Sequence, residues 1–368
     1  MRVLYTGADG YIGAVLGPKL LARSFDAVGI DAGFYRRGWL FDDRLTRPMV
    51  ITKDVRELST TDLRGVDAAA DEVALDVLRG VDAVVHLAEL SNDPLAENDP
   101  ELTMSINYRG SVQFAHKCKS AGVKRFVYAS SCSIYGAQGG DSQKTEASAT
   151  DPQTAYARCK VLVEHEVRAL ADAQFTPVFL RNATAYGASP RQRFDVVLNN
   201  LAGFAFTTGE IRVMSDGTPW RPLVHVDDIC EAILCALEAP NEAVRGEAFN
   251  VGSDAQNYRV REIAEIVAAT FPGCRATFGT PSADNRSYRV SFAKIVKHMP
   301  KFHCRWTAAL GAVQLRSIFE RIKLDEATFN SAPFTRLSEL RYLRGTDQLD
   351  SRLLWTPVED LAAEAAAA

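Results

Sequence analysis

The sequence predicts a doubly wound α/β fold, a parallel sheet with helices on both faces. Short apolar runs bounded by turn residues alternate with helical patterns throughout its first half, the pattern of strands buried on both sides. The chain is long enough, at 368 residues, for one large domain or two lobes around a sizeable core. Its 47% hydrophobic and 24% charged residues exclude disordered, collagen-like and coiled-coil classes.

Val3-Leu4-Tyr5 is the first strand candidate, followed by a helix from Tyr11 to Arg23 with Ile12, Val15, Leu16 and Leu20 on its apolar side. Pro18 conflicts with that helix, because it lacks a donor and should kink an interior turn. Ala27–Asp31, the weaker Met49–Ile51 and Val81–His86 supply three further strands. A long helix spans about Pro100 to Ala121, ahead of a strand at Arg125–Ala129, a helix at Thr154–Ala173 and a strand at Thr176–Arg181. Beyond Arg181 the rhythm changes: a helix at Asp195–Phe206, short strands near Ile211–Met214, a loop, the stretch Val224–Glu238, a strand at Ala248–Val251 and a helix at Arg259–Phe271. This irregular part reads as a smaller lobe. Trp306 to Trp355 reads as packed helices without an assignable role, and Ala362–Ala368 as a helix cap or a frayed tail.

The formal net charge of −4 argues against non-specific nucleic-acid binding. No uncharged apolar run approaches the ~18 residues of a membrane span, and the start of the chain enters a structural motif with no room for a signal peptide. Seven cysteines without a C-x-x-C pair, and six histidines without metal-ligand spacing, point away from disulfides and metals and towards a reducing cytoplasm.

Chemistry enters at residue 6. Thr6-Gly7-Ala8-Asp9-Gly10-Tyr11-Ile12-Gly13 sets Gly7, Gly10 and Gly13 between a strand and a helix, so the backbone can approach a pyrophosphate that the helix N-terminus stabilises. Asp31 ends the next strand, where a carboxylate accepts ribose hydroxyls and repels a 2′-phosphate, favouring NAD over NADP. Arg36 and Arg37 oppose this, since either reaches a 2′-phosphate from the following loop. Further on, Tyr156 and Lys160 share one helix face. A phenol titrates near ~10, and a neighbouring ammonium lowers that value towards a usable base. The serine-rich loop Ser130-Ser131-Cys132-Ser133 at the preceding strand end offers a hydroxyl to the same substrate oxygen.

Together these motifs resemble the extended short-chain dehydrogenase/reductase family, specifically its NAD-dependent nucleotide-sugar epimerases and dehydratases. The resemblance runs to about residue 300 and also covers Asp54-Val55, His86-Leu87-Ala88, Asn107 and Trp220–Asp228. It implies a Rossmann domain over 1–181, with 222–252 returning to it, and a substrate lobe over 182–221 and 253–368. It also implies NAD as cofactor, a nucleoside-diphosphate sugar as substrate and a homodimer. Ser131, 25 residues before Tyr156, matches the family's catalytic serine or threonine. Asp54 and Val55 match the adenine-contacting pair, and Leu87, Ala88 and Asn107 the cofactor side. Arg221 and Arg286 match the arginines on the substrate diphosphate, and Asn199 and Asn200 the nucleotide contacts. His225 and the Asp227-Asp228 pair read as structural, the aspartates as helix caps.

Dehydratases of this family carry Asp-Glu after the serine or threonine. Here Cys132 and Ser133 stand there, which counts against dehydration and favours epimerisation at C4, with a dehydratase or ketoreductase as the alternative reading. A non-catalytic dinucleotide sensor is the reading from another class, and the complete Ser131, Tyr156 and Lys160 set opposes it. Cys132 is either a proton shuttle or a small buried residue. Glu89 replaces a small residue and is a substrate contact, an acid/base group, or a side chain turned outward. Thr184-Ala185-Tyr186-Gly187 departs from the strand end of galactose epimerases, with Thr184 placed to meet substrate.

Overall fold

The computed structural model describes residues 1–64, 80–91, 97–137, 143–280 and 286–357. Its centre is a seven-stranded parallel sheet of β1 (Arg2–Thr6), β2 (Asp26–Asp31), β3 (Met49–Thr52), β4 (Ala83–His86), β5 (Arg125–Ser131), β6 (Thr176–Asn182) and β10 (Ala248–Val251), ordered β3-β2-β1-β4-β5-β6-β10. Strand residues alternate between two cores. Val3, Tyr5, Val85, Val127, Val178 and Leu180 face one layer, while Leu4, Val84, Phe126, Tyr128 and Phe179 face the other. The first layer holds α1 (Gly13–Ala22), and the second holds α2 (Ser111–Ala121) and α3 (Ala155–Arg168). Strand order reverses between β1 and β4, which opens a crevice at their carboxyl ends.

The helix α1 runs through Pro18 without a break, against the expected interruption. The predicted helix over Pro100–Ala121 is continuous, but its bonding widens into π-type turns over Met104–Gly110 before α2. Functional sites often use such widening; here it carries Asn107, whose amide grips both backbone atoms of Leu90 at 2.8 and 2.9 Å.

Past β6 lie β7 (Thr184–Tyr186), α4 (Val197–Thr208), β8 (Glu210–Val213), β9 (Trp220–His225) and α5 (Val226–Glu238). After β10 come β11 (Asn257–Arg259), α6 (Val260–Thr270), β12 (Arg275–Phe278), α7 (Ala308–Ile322) and α8 (Arg336–Gly345). The strands form a β11-β9-β7 sheet and a β12-β8 pair around a core with Phe194, Phe319, Phe329 and Phe334. The stretch read only as Val224–Glu238 is thus a strand and a helix, and β7 had no periodic signal because it is three residues long.

The expected aspartate cap of α5 is replaced by His225, whose Nδ1 accepts the Asp227 amide at 3.1 Å. Asp228 instead accepts the amides of Arg305 and Trp306, and Asp227 pairs with Lys19 at 3.0 Å. Burial pushes His225 down to about 4, so its ring is neutral, stacked on Trp306 at 4.0 Å. All seven cysteines are free thiols. Among the described residues no helix is long and apolar enough to cross a membrane. The alanine-rich end lies outside the described residues.

Candidate active site

The glycine loop is built for close approach. Gly7 has φ +68°, and a Cβ there would meet the Leu87 carbonyl carbon at 2.9 Å; one on Gly13 would meet the Gly7 oxygen at 2.1 Å. Gly7, Gly10, Tyr11, Ile12, Gly13, Asp31, Asp54, Val55, Leu87 and Ala88 line one cleft at the strand-order reversal. Thr6 fixes its opposite wall, because its hydroxyl oxygen accepts the Leu87 and Ala88 amides, each at 3.1 Å. Asp31 accepts the amides of Gly33 at 2.7 Å and Asp9 at 3.0 Å. Burial pushes its carboxyl up to about 6 even so. Glu339 engages Arg37 through two bonds of 3.0 and 2.8 Å, and Arg36 donates to Thr52. A backbone cradle closed to side chains, with a carboxylate at the end of β2, fits a dinucleotide with a free ribose 2′-hydroxyl.

The second cleft, of about 370 Å³, continues from the first through Ile12, Leu87, Glu89 and Arg193. It brings together Ser131, Tyr156, Lys160, Thr184, Arg221 and Arg286. Thr154 caps α3 by accepting the Ala157 amide at 3.2 Å, which fixes where Tyr156 and Lys160 project. Ser131 ends β5 and accepts the Ser133 amide at 3.1 Å. Arg221, on β9, donates to the Trp220 carbonyl at 2.9 Å and to the Arg286 carbonyl, tying the two arginine segments together.

Glu89 turns inward. Its carboxylate lies 2.6 Å from the Lys160 ammonium, with both side chains buried, and accepts the Tyr128 hydroxyl at 2.5 Å. Lys160 also donates to the Ala129 carbonyl at 2.5 Å. Burial pulls the Lys160 ammonium down, but Glu89 and Tyr156 outweigh it and hold the group above its ordinary value. A hydrogen-bonded chain reaches Glu89 from Thr6. The Thr6 oxygen accepts two amides, so its proton goes to His86 Nδ1 at 2.8 Å; His86 Nε2 then donates to Ser111 at 2.9 Å, and Ser111 to Glu89 at 3.3 Å. Burial, with Lys160 nearby, pushes His86 down to about 3, consistent with this neutral tautomer.

Four predicted residues lie outside both cleft linings. The Cys132 thiol is buried and donates to the Arg181 carbonyl at 3.1 Å, and burial pushes it well above its ordinary value. Asn199 accepts the Gly187 amide at 2.9 Å and donates to the Tyr11 hydroxyl at 3.2 Å, while Asn200 donates to the Phe194 carbonyl at 2.8 Å. Asn107 acts on the cleft indirectly, by fixing Leu90 next to Glu89. Two arginines that no sequence motif marked, Arg193 and Arg336, line the dinucleotide cleft. For Arg193 the available signal was the Arg191-Gln192-Arg193 run just past a strand end.

Residues 3–252 match the family described as NAD dependent epimerase/dehydratase. The chain belongs to that family. It is 26% identical over 296 residues to the UDP-glucose 4-epimerase of Corynebacterium glutamicum, covering 76% of this chain and 82% of that protein. Protein CapI of Staphylococcus aureus is 28% identical over 270 residues, with 72% and 78% covered. Among solved structures, MoeE5 in complex with UDP-glucuronic acid and NAD superposes with a TM-score of 0.71 at 25% identity, covering 87% of this chain and 99% of that one. The NAD-dependent NDP-hexosamine 5,6-dehydratase TunA gives 0.73 at 22%, with 87% and 98% covered, a likeness of fold. The family resemblance, the Rossmann-type fold and the NAD dependence expected from the sequence thus stand on independent comparisons.

Proposed function

We propose that the protein is a nucleotide-sugar epimerase that inverts C4 of its sugar through a transient 4-keto intermediate. The observation that carries this is one continuous cleft. It runs from the glycine loop past Ser131, Tyr156 and Lys160 to the arginines Arg221 and Arg286. Bound NAD supplies the site with a hydride acceptor that becomes the donor for the return step. Tyr156 takes the proton of the sugar hydroxyl and gives it back, Lys160 favours the phenolate by its charge, and Ser131 hydrogen-bonds the same oxygen. Arg221 and Arg286 hold the diphosphate with paired N–H donors, and Thr184 meets the sugar. Glu89 sits against Lys160 as its counter-ion rather than against solvent. No carboxylate stands at 132 or 133, and Cys132 lies behind the cleft wall, so the reading gives it no part. The relatives named UDP-glucose 4-epimerase support the same choice.

The reading also divides the chain into a cofactor part, 1–181 with 222–252, and a sugar-nucleotide part, 182–221 with 253–368; β10 pairing with β6 supports the first. It takes the protein to be a cytoplasmic homodimer, and the free thiols fit a reducing compartment.

Incubation with UDP-glucose, UDP-glucuronic acid and related nucleotide sugars tests the proposal. The expected product is an isomer of unchanged mass, with no accumulation of reduced nicotinamide. Loss of water from the product, or stoichiometric reduced cofactor, would refute it.

A further inference from the structure

Arg336 opens α8, 84 residues beyond the last residue matched by the family. Its side chain is 2% exposed and lines the dinucleotide cleft. Asp195 accepts the Arg336 backbone amide at 3.2 Å, but among the described residues no carboxylate forms an ion pair with the guanidinium, whose Nη1 is buried with no hydrogen-bond partner. It rests over the Tyr35 ring at 3.9 Å. The Nη2 of Arg193, in the same lining, is likewise buried without a partner. Arg193 is ion-paired with Asp195 at 2.8 Å, so of these two guanidiniums Arg336 alone lacks an ion pair, and keeping an unpaired cation out of water is costly. Burial, with Arg193 beside it, pulls the Arg336 guanidinium down to about 10. The Asp195 and Asp31 carboxylates offset part of this cost without ion-pair contact, and an anion entering the cleft would offset more.

The surrounding segment is fastened to the cofactor domain at several points. Glu339 holds Arg37, the Trp355 indole donates to the Ala32 carbonyl at 2.6 Å, and Arg56 donates to the Arg352 carbonyl at 3.0 Å. Beneath them Leu340, Leu343, Leu349 and Leu353 pack with Leu90 and Ile106.

We propose that Arg336 binds the diphosphate of the dinucleotide, and that residues 336–355 form a C-terminal clasp over the cofactor. By sequence this segment was grouped with the sugar-nucleotide lobe, and its position on the cofactor cleft gives it a different task. The inference rests on NAD occupying that cleft and is independent of which reaction follows.

Binding of NAD, ADP-ribose and adenosine to Arg336→Gln, together with melting of the free protein, tests it. The variant should lose about tenfold to a hundredfold in affinity for NAD and ADP-ribose, the range for a charged hydrogen bond. Adenosine, which lacks the diphosphate, should bind unchanged, and the ligand-free variant should melt at or above the parent temperature. Equal losses for all three ligands, or a lower melting point with unchanged NAD affinity, would show a structural residue and overturn the proposal. If the variant does not fold, amide exchange in the unaltered protein decides: ADP-ribose should protect Arg336–Gly345 and adenosine should not. Equal protection by both, or by neither, would overturn it. Turnover enters none of these readouts, so a failed epimerase assignment leaves them intact.

Discussion

Replacing Glu89 by glutamine removes one charge from a buried pair and leaves its partner in place. At 2.6 Å the attraction to Lys160 is about 6 kcal/mol at an effective dielectric constant of about 20, before desolvation is deducted. Breaking a buried pair by removing one partner costs about 3–5 kcal/mol, because the other charge is stranded. Glutamine keeps an oxygen for Lys160, so the lower end, about 3 kcal/mol, is expected near pH 7. The pH dependence is the sharper mark. In the parent protein Lys160 titrates above its ordinary value, so the stability it brings is fully present below about 10.4 and is lost only as pH rises through the folded value. From pH 6 to 9 that contribution is flat. Without Glu89, burial dominates and the folded value drops below the unfolded one. The unfolded chain then binds more protons between the two values, so stability rises with pH across that window. Urea unfolding at several pH values between 6 and 9, with ligand-free protein, should show a deficit that shrinks towards the alkaline end. A loss under about 1 kcal/mol with no pH dependence would mean that the pair does not form as described.

Tyr156→Phe should retain NAD and substrate binding but lose turnover by ~10²-fold or more; comparable rates would remove Tyr156 as the base. Asp31 titrates near 6 in the ligand-free protein, raised by burial, and it must be charged to accept ribose hydroxyls strongly. NAD affinity should therefore decline as pH falls through about 6, and Asp31→Asn should bind weakly and without that decline, measured by calorimetric titration.

The sheet and its cradle were legible in the sequence because both are local. Alternating apolar residues such as Val3-Leu4-Tyr5 set a strand's two faces, and the spacing of Gly7, Gly10 and Gly13 sets a turn, whatever the rest of the chain does. Tyr156 and Lys160 were legible for the same reason, since helical periodicity alone aligns them. Glu89 could be placed near the nicotinamide end, but not its direction. That depends on Lys160 and Tyr128, 71 and 39 residues away, whose unmet charge and hydroxyl draw the carboxylate inward. Asn199 and Cys132 show the reverse: residue type suggested chemistry, while tertiary contacts gave their polar atoms to the backbone of the fold. Arg336 had no motif at all. Only the return of the C-terminal segment across the cofactor cleft sets that charge beside Arg193, because the burial and the lack of a direct ion pair that define its task are properties of the packed chain.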